Sequence, residues 1–255
     1  MKEIKLPLYE NQGFVELIDM MGDDYRILQT ARVSTGSMPK KGKSADRGLI
    51  RYLYKNKHMS PFEQVVFTFH AKVPNFVMKQ FLRHRTMSIN ELSQRYTKVG
   101  EEFFIPCSWR RQGTKNHQGS GETLNDDENK KVEYEYEYLV GDVFDKYNEF
   151  IEENGVAREM ARMVLPSSTF TEFYFTVNLR NLLHFLELRL HEHAQKEIRD
   201  LAEAIFSIVK KTKRVNWTME IFEEMTELEY VVSKILSNKK NNPRDLKEIL
   251  EETFL

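Results

Sequence analysis

Hydrophobic and polar positions alternate most cleanly over residues 65–73, where Val65, Phe67, Phe69, Ala71 and Val73 share one face and Pro74 ends the run. A period of two predicts a half-buried strand. Residues 14–20 and the β-branched, aromatic run 170–177 predict two more strands, and residues 103–105 a short one. Elsewhere the apolar period is helical. Val132, Tyr136, Leu139, Val143, Tyr147 and Phe150 step by three or four. That stripe outweighs the strand-like alternation of Glu and Tyr over residues 133–138, and Asn154-Gly155 supplies its stop.

Further helices are predicted over residues 24–32, capped by Asp23 and carrying Ile27, Leu28 and Ala31, and over residues 44–57, carrying Leu49, Ile50 and Leu53. Residues 75–82 and 156–165 read as short helices, the second ending at Pro166. Asn178 is placed to cap a helix carrying Leu182, Leu183, Leu186 and Leu190, and Ile198, Leu201, Ile205 and Val209 mark another. Ser60-Pro61-Phe62-Glu63 has the form of a capping box with Pro at the first helical position. Residues 110–127, polar and rich in Gly, Asn and Asp, read as a loop or insertion. The tail from about Glu223 is charged and helix-prone. With no internal repeat and no linker, one α+β domain is the simplest organisation.

Composition narrows the function classes. The 255 residues, 40% of them hydrophobic, suffice for a substantial core, and 12% aromatics argue against disorder. Thirty-eight basic against 39 acidic residues give a net charge of −1, so no global basic field draws nucleic acid or acidic membrane, and any anion site must be a local cluster. Cys107 is the one cysteine, a usage that fits a reducing cytosol. The N-terminus has no apolar core of a secretory signal, and no run approaches the ~18 apolar residues that span a bilayer. The expectation is a cytoplasmic protein with neither nucleic acid nor membrane as partner.

Three candidate motifs have ordinary explanations. Gly42-Lys43-Ser44 suggests a phosphate loop, yet Gly36 lies one residue too far upstream, Pro39 interrupts, and no apolar strand leads in. His191-Glu192-His193 suggests a metal pair, but helical residues two apart point about 200° from each other, and no metal is expected. Cys107 has no nearby base or helix end to lower its pKa, so inert packing is the expected role rather than nucleophile. No G-x-G-x-x-G occurs.

Residues 83–96 (RHRTMSINELSQRY) differ. Arg83, Arg85 and Arg95 gather with His84, Ser93 and Tyr96 around one acid, Glu91, between the apolar helix of Phe76, Val77, Phe81 and Leu82 and the aromatic pair Phe103-Phe104. A guanidinium binds phosphate bidentately, each charge-assisted bond contributing roughly 1.5–3 kcal/mol. Ser93 and nearby backbone N–H groups complete such a cradle. The chemistry points to a phosphorylated small ligand.

Arg83-His84-Arg85, seven residues, then Ser93 resembles the R-H-R-x7-S motif of flavin-dependent thymidylate synthases, as do Asn90-Glu91-Leu92-Ser93 and Arg95-Tyr96 around it. Ala31-Arg32-Val33-Ser34, Ser60-Pro61-Phe62-Glu63, residues 162–166 (RMVLP), Thr176-Val177-Asn178, Leu188-Arg189 and Ala194-Gln195 are similar to family segments in the same order. The likeness covers about residues 14–210.

The resemblance implies an α/β arrangement, a central, mostly antiparallel sheet packed with long helices, assembled as a homotetramer with active sites between subunits. It implies a catalytic domain over residues 1–220 and a C-terminal extension over 221–255. It implies FAD on Ser60, Arg83, His84, Arg85, Glu91, Asn178, Leu179, Arg180 and His184. It implies dUMP on Gln80, Arg83, Glu91, Leu92, Ser93, Gln94, Arg95 and Arg162, with Arg189 at the uracil ring, and the folate pterin near His58 and Tyr96. NADPH or NADH and 5,10-methylenetetrahydrofolate are the implied co-substrates. Arginine stays protonated, so Arg189 would stabilise charge at N3 and O4 rather than act as a base. The chain departs from the family at His184, where Asn is common, and at His191, where Asp is common and where the change bears on how Arg189 is oriented.

Rival readings are a nucleic-acid module using the Arg- and Tyr-rich segment, a metal-dependent hydrolase using His191, His193 and Glu197, and a flavoprotein of this fold that reduces nicotinamide without methylating dUMP.

Overall fold

The computed structural model describes residues 4–34, 36, 42–114 and 119–226. In chain order its elements are β1 (Ile4–Leu8), β2 (Gly13–Met21), α1 (Asp24–Val33), α2 (Lys43–Lys55), a 3-10 turn (Ser60–Gln64), β3 (Val66–Pro74), α3 (Asn75–Phe81), β4 (Ser88–Glu91), β5 (Arg110–Gln112), β6 (Ser120–Thr123), α4 (Asp126–Glu152), α5 (Arg158–Ala161), a second 3-10 turn (Arg162–Val164), β7 (Phe170–Asn178), α6 (Leu179–Arg189) and α7 (Lys196–Lys211). Residues 216–226 are also helical. No described helix is long and apolar enough to cross a membrane. Among the described residues, contacts group into two compact units, one drawn from Met1–Met21 and Val65–Lys211, the other from Gly22–Gln64 and Thr212–Leu255.

The first unit is built on a five-stranded sheet in the order β1-β2-β3-β7-β4, antiparallel throughout. Alternation along β3 does what its sequence predicts: Phe67, Phe69, Ala71 and Val73 are fully buried, and the residues between them are not. Phe69 stacks on Phe175 of β7 at 5.0 Å, and Phe81 of α3 meets the edge of Phe175 at 4.8 Å. Helices α3, α6 and α7 contribute Val77, Leu182, Phe185, Ile198, Leu201 and Ile205 to the same core. A second cluster packs Val140, Phe144 and Tyr147 of α4 against Val99 and Ala161, and the Tyr147 hydroxyl accepts the Val99 N–H at 3.1 Å. The capping box that starts α4 is complete, Asn125 accepting from the Glu128 N–H and Glu128 from the Asn125 N–H.

Several expected elements differ. Residues 103–105 form no strand, only an isolated bridge from Phe103 to Thr169; Phe103 packs on Phe144, and Phe104 on Tyr9 and Phe76. Within the segment read as a loop or insertion, β5 and β6 pair antiparallel, and α4 already begins at Asp126. Residues 156–165 break into α5 and a 3-10 turn, and Ser60 opens a 3-10 turn rather than an α-helix. Strands β1 and β4 were not expected. Both are sheet edges, where Pro7 and the polar run Ser88–Glu91 are tolerated because one side of the strand needs no partner. Cys107 is exposed rather than packed. Pro39 and the tail beyond residue 226 lie outside the described residues.

In the second unit, Asp23 caps α1 as its sequence predicts, accepting from the Arg26 N–H at 2.9 Å. The next residue, Asp24, is buried and accepts from the Trp217 N–H at 2.8 Å, the Thr218 N–H at 3.3 Å and the Thr218 hydroxyl at 2.6 Å. Burial raises its pKa, and those hydrogen bonds offset part of the rise. Asp24→Ala strands three donors and is expected to cost about 2–3 kcal/mol in a urea melt. An unchanged midpoint would show that this carboxylate does not hold the two segments together.

Candidate active site

The Arg83-His84-Arg85 segment leaves α3 in a tight turn, the Arg83 N–H on the Gln80 carbonyl at 3.3 Å and the His84 N–H on the Phe81 carbonyl at 3.0 Å. The turn sends His84 inward, 8% exposed, and leaves both arginines exposed. Neither Arg83 nor Arg85, nor the exposed Arg162, pairs with a carboxylate among the described residues. Other arginines of this unit are engaged: Arg95 with Glu159 at 3.2 Å, Arg110 with Glu197 at 2.6 Å and Arg111 with Glu128 at 2.5 Å.

His84 stands edge-on to Phe185 of α6 at 4.9 Å, and its Nε2 accepts from Nε of Arg189 at 3.0 Å. Burial first, then the Arg189 charge and His184, lower its pKa to about 4. The imidazole is therefore neutral at pH 7, with its proton on Nδ1 because Nε2 is the acceptor. Arg189 is the last residue of α6, a helix end that favours a cation, and burial lowers its pKa without discharging it. The residue that orients Arg189 is thus His84 and not His191, whose Nδ1 accepts the His193 N–H at 3.2 Å.

Strand β4 carries the rest of the motif. Glu91 sits opposite Phe173 and accepts from the Thr171 hydroxyl at 2.8 Å, and the Leu92 N–H extends the ladder onto the Glu172 carbonyl at 2.8 Å. Ser93 then turns the chain: its carbonyl accepts from the Tyr96 and Thr97 N–H groups at 3.1 Å, and its hydroxyl from the Arg95 N–H at 3.3 Å. Leu92 and Tyr96 are exposed, Gln94 is half-buried, and Arg95 lies over the Tyr96 ring at 5.6 Å. The exposed Arg95–Glu159 pair is solvent-screened, so a phosphate could displace the carboxylate at small cost.

Asn178 caps α6, accepting from the Asn181 N–H at 3.0 Å, Leu179 is fully buried, and Arg180 and His184 are exposed. His58 and Ser60 belong to the other unit, where both are exposed, His58 with its ring 6.1 Å from Tyr52. The residues that sequence reasoning left without a role are Gln195, to which Gln80 donates at 2.6 Å, Glu197, and Arg110 of β5. Glu197 had a place only in the metal-site rival, and its carboxylate is occupied by Arg110 and Gln195 instead.

These residues fit a flavin dinucleotide and a nucleotide phosphate as donors: the guanidinia of Arg83, Arg85 and Arg162, which face no carboxylate among the described residues, and the neutral imidazole of His84. Comparison with known proteins agrees. The family described as "Thymidylate synthase complementing protein" matches residues 16–213. A flavin-dependent thymidylate synthase of Thermus thermophilus is 44% identical over 265 residues, covering 96% of this chain and 94% of that protein. One from Treponema denticola is 46% identical over 203 residues, covering 78% and 76%. The crystal structure of a UMP/dUMP methylase, PolB from Streptomyces cacaoi bound with 5-Br dUMP, superposes with a TM-score of 0.76 at 35% identity, over 83% of this chain and 95% of that one. The chain belongs to the flavin-dependent thymidylate synthase family.

Proposed function

We propose that this protein methylates dUMP to dTMP with FAD, taking the one-carbon unit from 5,10-methylenetetrahydrofolate and reducing equivalents from NADPH or NADH, and releasing tetrahydrofolate. The observation that carries this reading is the pair of uncompensated arginines, Arg83 and Arg85, flanking a buried neutral His84 that holds Arg189. FAD, when bound, supplies the redox step, and the protein supplies position and charge.

Arg83, His84, Arg85 and Arg180 bind the flavin dinucleotide, with Asn178, Leu179, His184, Glu91 and Ser60 as further contacts. Gln80, Arg83, Glu91, Arg95 and Arg162 bind dUMP, with Ser93 and its neighbours Leu92 and Gln94 cradling the phosphate. His58 and Tyr96 meet the pterin. Ser93 is a ligand and not a nucleophile: its hydroxyl takes a backbone N–H and no base stands beside it. Arg189 neutralises charge at uracil N3 and O4, which favours the ionised, electron-rich ring that methylation at C5 requires. The enzyme works as a cytoplasmic homotetramer with shared sites, its catalytic domain spanning residues 1–220 and an extension spanning 221–255.

The test is a visible spectrum of the purified protein after incubation with FAD and removal of free dye. A retained flavin band that shifts on adding dUMP is the expected result. A folded protein retaining no flavin would sink the reading. Flavin turnover with nicotinamide but no dTMP in the product mixture would favour the non-methylating flavoprotein instead.

A further inference from the structure

A chain of side-chain hydrogen bonds runs from a buried carboxylate to Gln80. Glu197, near the start of α7, is 4% exposed. Its Oε1 accepts from Nη2 of Arg110 at 2.6 Å and its Oε2 from Nε2 of Gln195 at 2.8 Å. Oε1 of Gln195 in turn accepts from Nε2 of Gln80 at 2.6 Å. The Tyr9 hydroxyl donates to the Glu197 carbonyl at 3.0 Å and holds the backbone beneath.

The direction of this chain is set at its buried end. An ionised carboxylate only accepts, so Gln195 must give it Nε2 and turn Oε1 toward Gln80. Gln80 must then give Nε2 to Gln195, which leaves Oε1 of Gln80 to accept. An isolated amide exchanges its oxygen and nitrogen freely. Here a flip would set two acceptors or two donors face to face. Burial pushes the Glu197 carboxyl up, but the hydrogen bonds from Arg110 and Gln195 outweigh it and hold the group below the usual carboxylate range. The anchor is therefore ionised at neutral pH.

We propose that Gln195, Glu197 and Arg110 are positioning residues of the nucleotide site: they fix the Gln80 amide with Oε1 as its free acceptor, so the site takes a hydrogen-bond donor of the nucleotide at that point. The inference rests on Gln80 being a dUMP ligand. It also assigns a role to the β5–β6 hairpin, whose first residue is Arg110. The hairpin base is tied to α4, the Trp109 N–H donating to Asn129 at 2.7 Å, and Nη2 of Arg111 reaches both oxygens of Glu128 at 2.8 and 2.5 Å. So tethered, the hairpin keeps Arg110 on Glu197.

The test compares the FAD-loaded wild type with Gln195→Met, a substitution of similar volume that can neither donate nor accept these bonds. Gln195 is exposed, so thermal stability and flavin retention should hold. Affinity for dUMP, read from the flavin spectrum, should fall about tenfold, with the loss in KM rather than kcat. Glu197→Gln, which allows either amide direction, should show a smaller loss of the same kind. A Gln195→Met enzyme that binds dUMP as the wild type does, or one that loses flavin and thermal stability in step with dUMP, would overturn the positioning role. A wild type that retains no flavin or ignores dUMP would overturn the functional reading and this assignment with it, and shows itself before any variant is made.

Discussion

Arg189→Ala is expected to fold, to retain FAD, and to form dTMP some 10²–10³ times more slowly than the wild type. The guanidinium closes α6, half-buried, with Nε committed to His84, so its two terminal nitrogens are left for a ligand. A charge held this way does not have to reorganise as negative charge builds on the uracil ring, and partial burial strengthens its action there. Arg189→Lys should recover little. It keeps the charge but loses the planar fork and the N–H that His84 accepts. Single-turnover formation of dTMP, alongside flavin absorbance, separates the chemical step from cofactor loss. Turnover unchanged in Arg189→Ala would remove the proposed role in ring ionisation.

The core was legible where one pattern dominated. Strand β3 alternates without a break, and α4 runs helical through the Glu-Tyr repeat, leaving Tyr134 and Tyr138 exposed; of its expected stripe Tyr147 is buried and Tyr136 and Phe150 are partly so, but Leu139 is exposed and Val140 and Phe144, one position on from Leu139 and Val143, take the core side instead. The N-caps at Asp23 and Asn178, and the stop at Gly155 (φ 65°) just past the end of α4, were legible because each has a specific local chemistry. The sheet edges were not, since Pro7 in β1 and the polar β4 lack the alternation that a two-sided strand needs. In the motif, residue types announced anion chemistry, but sequence did not tell that His84 turns inward between two outward arginines. Nor did it pair Gln80 with Gln195, 115 residues away, or Arg110 with Glu197, 87 away. Such partners are chosen by the packing of α3 and α7 and of a hairpin that composition alone presents as a loop.

His84 should titrate about 2.5 pH units below a free imidazole, near pH 4 against the usual 6.5, when followed by NMR of the ring protons. Because its folded pKa is depressed, the unfolded chain binds the extra proton between those values. Its contribution to stability is complete above pH 6.5 and is lost as pH falls toward 4, amounting to about 2–3 kcal/mol by pH 4.5. His84→Gln removes the titration while keeping an oxygen that can accept from Arg189. Urea melts at pH 7 and pH 4.5 should therefore show a smaller acid loss in the variant than in the wild type, by about that amount. Protonation would also place an imidazolium against Arg189 and withdraw the acceptor that fixes it. The same group thus ties acid sensitivity of the fold to the orientation of the arginine at the proposed uracil site. A His84 ring that titrates near 6.5, or equal acid losses in the two proteins, would mean that the imidazole is solvated and that something else holds Arg189.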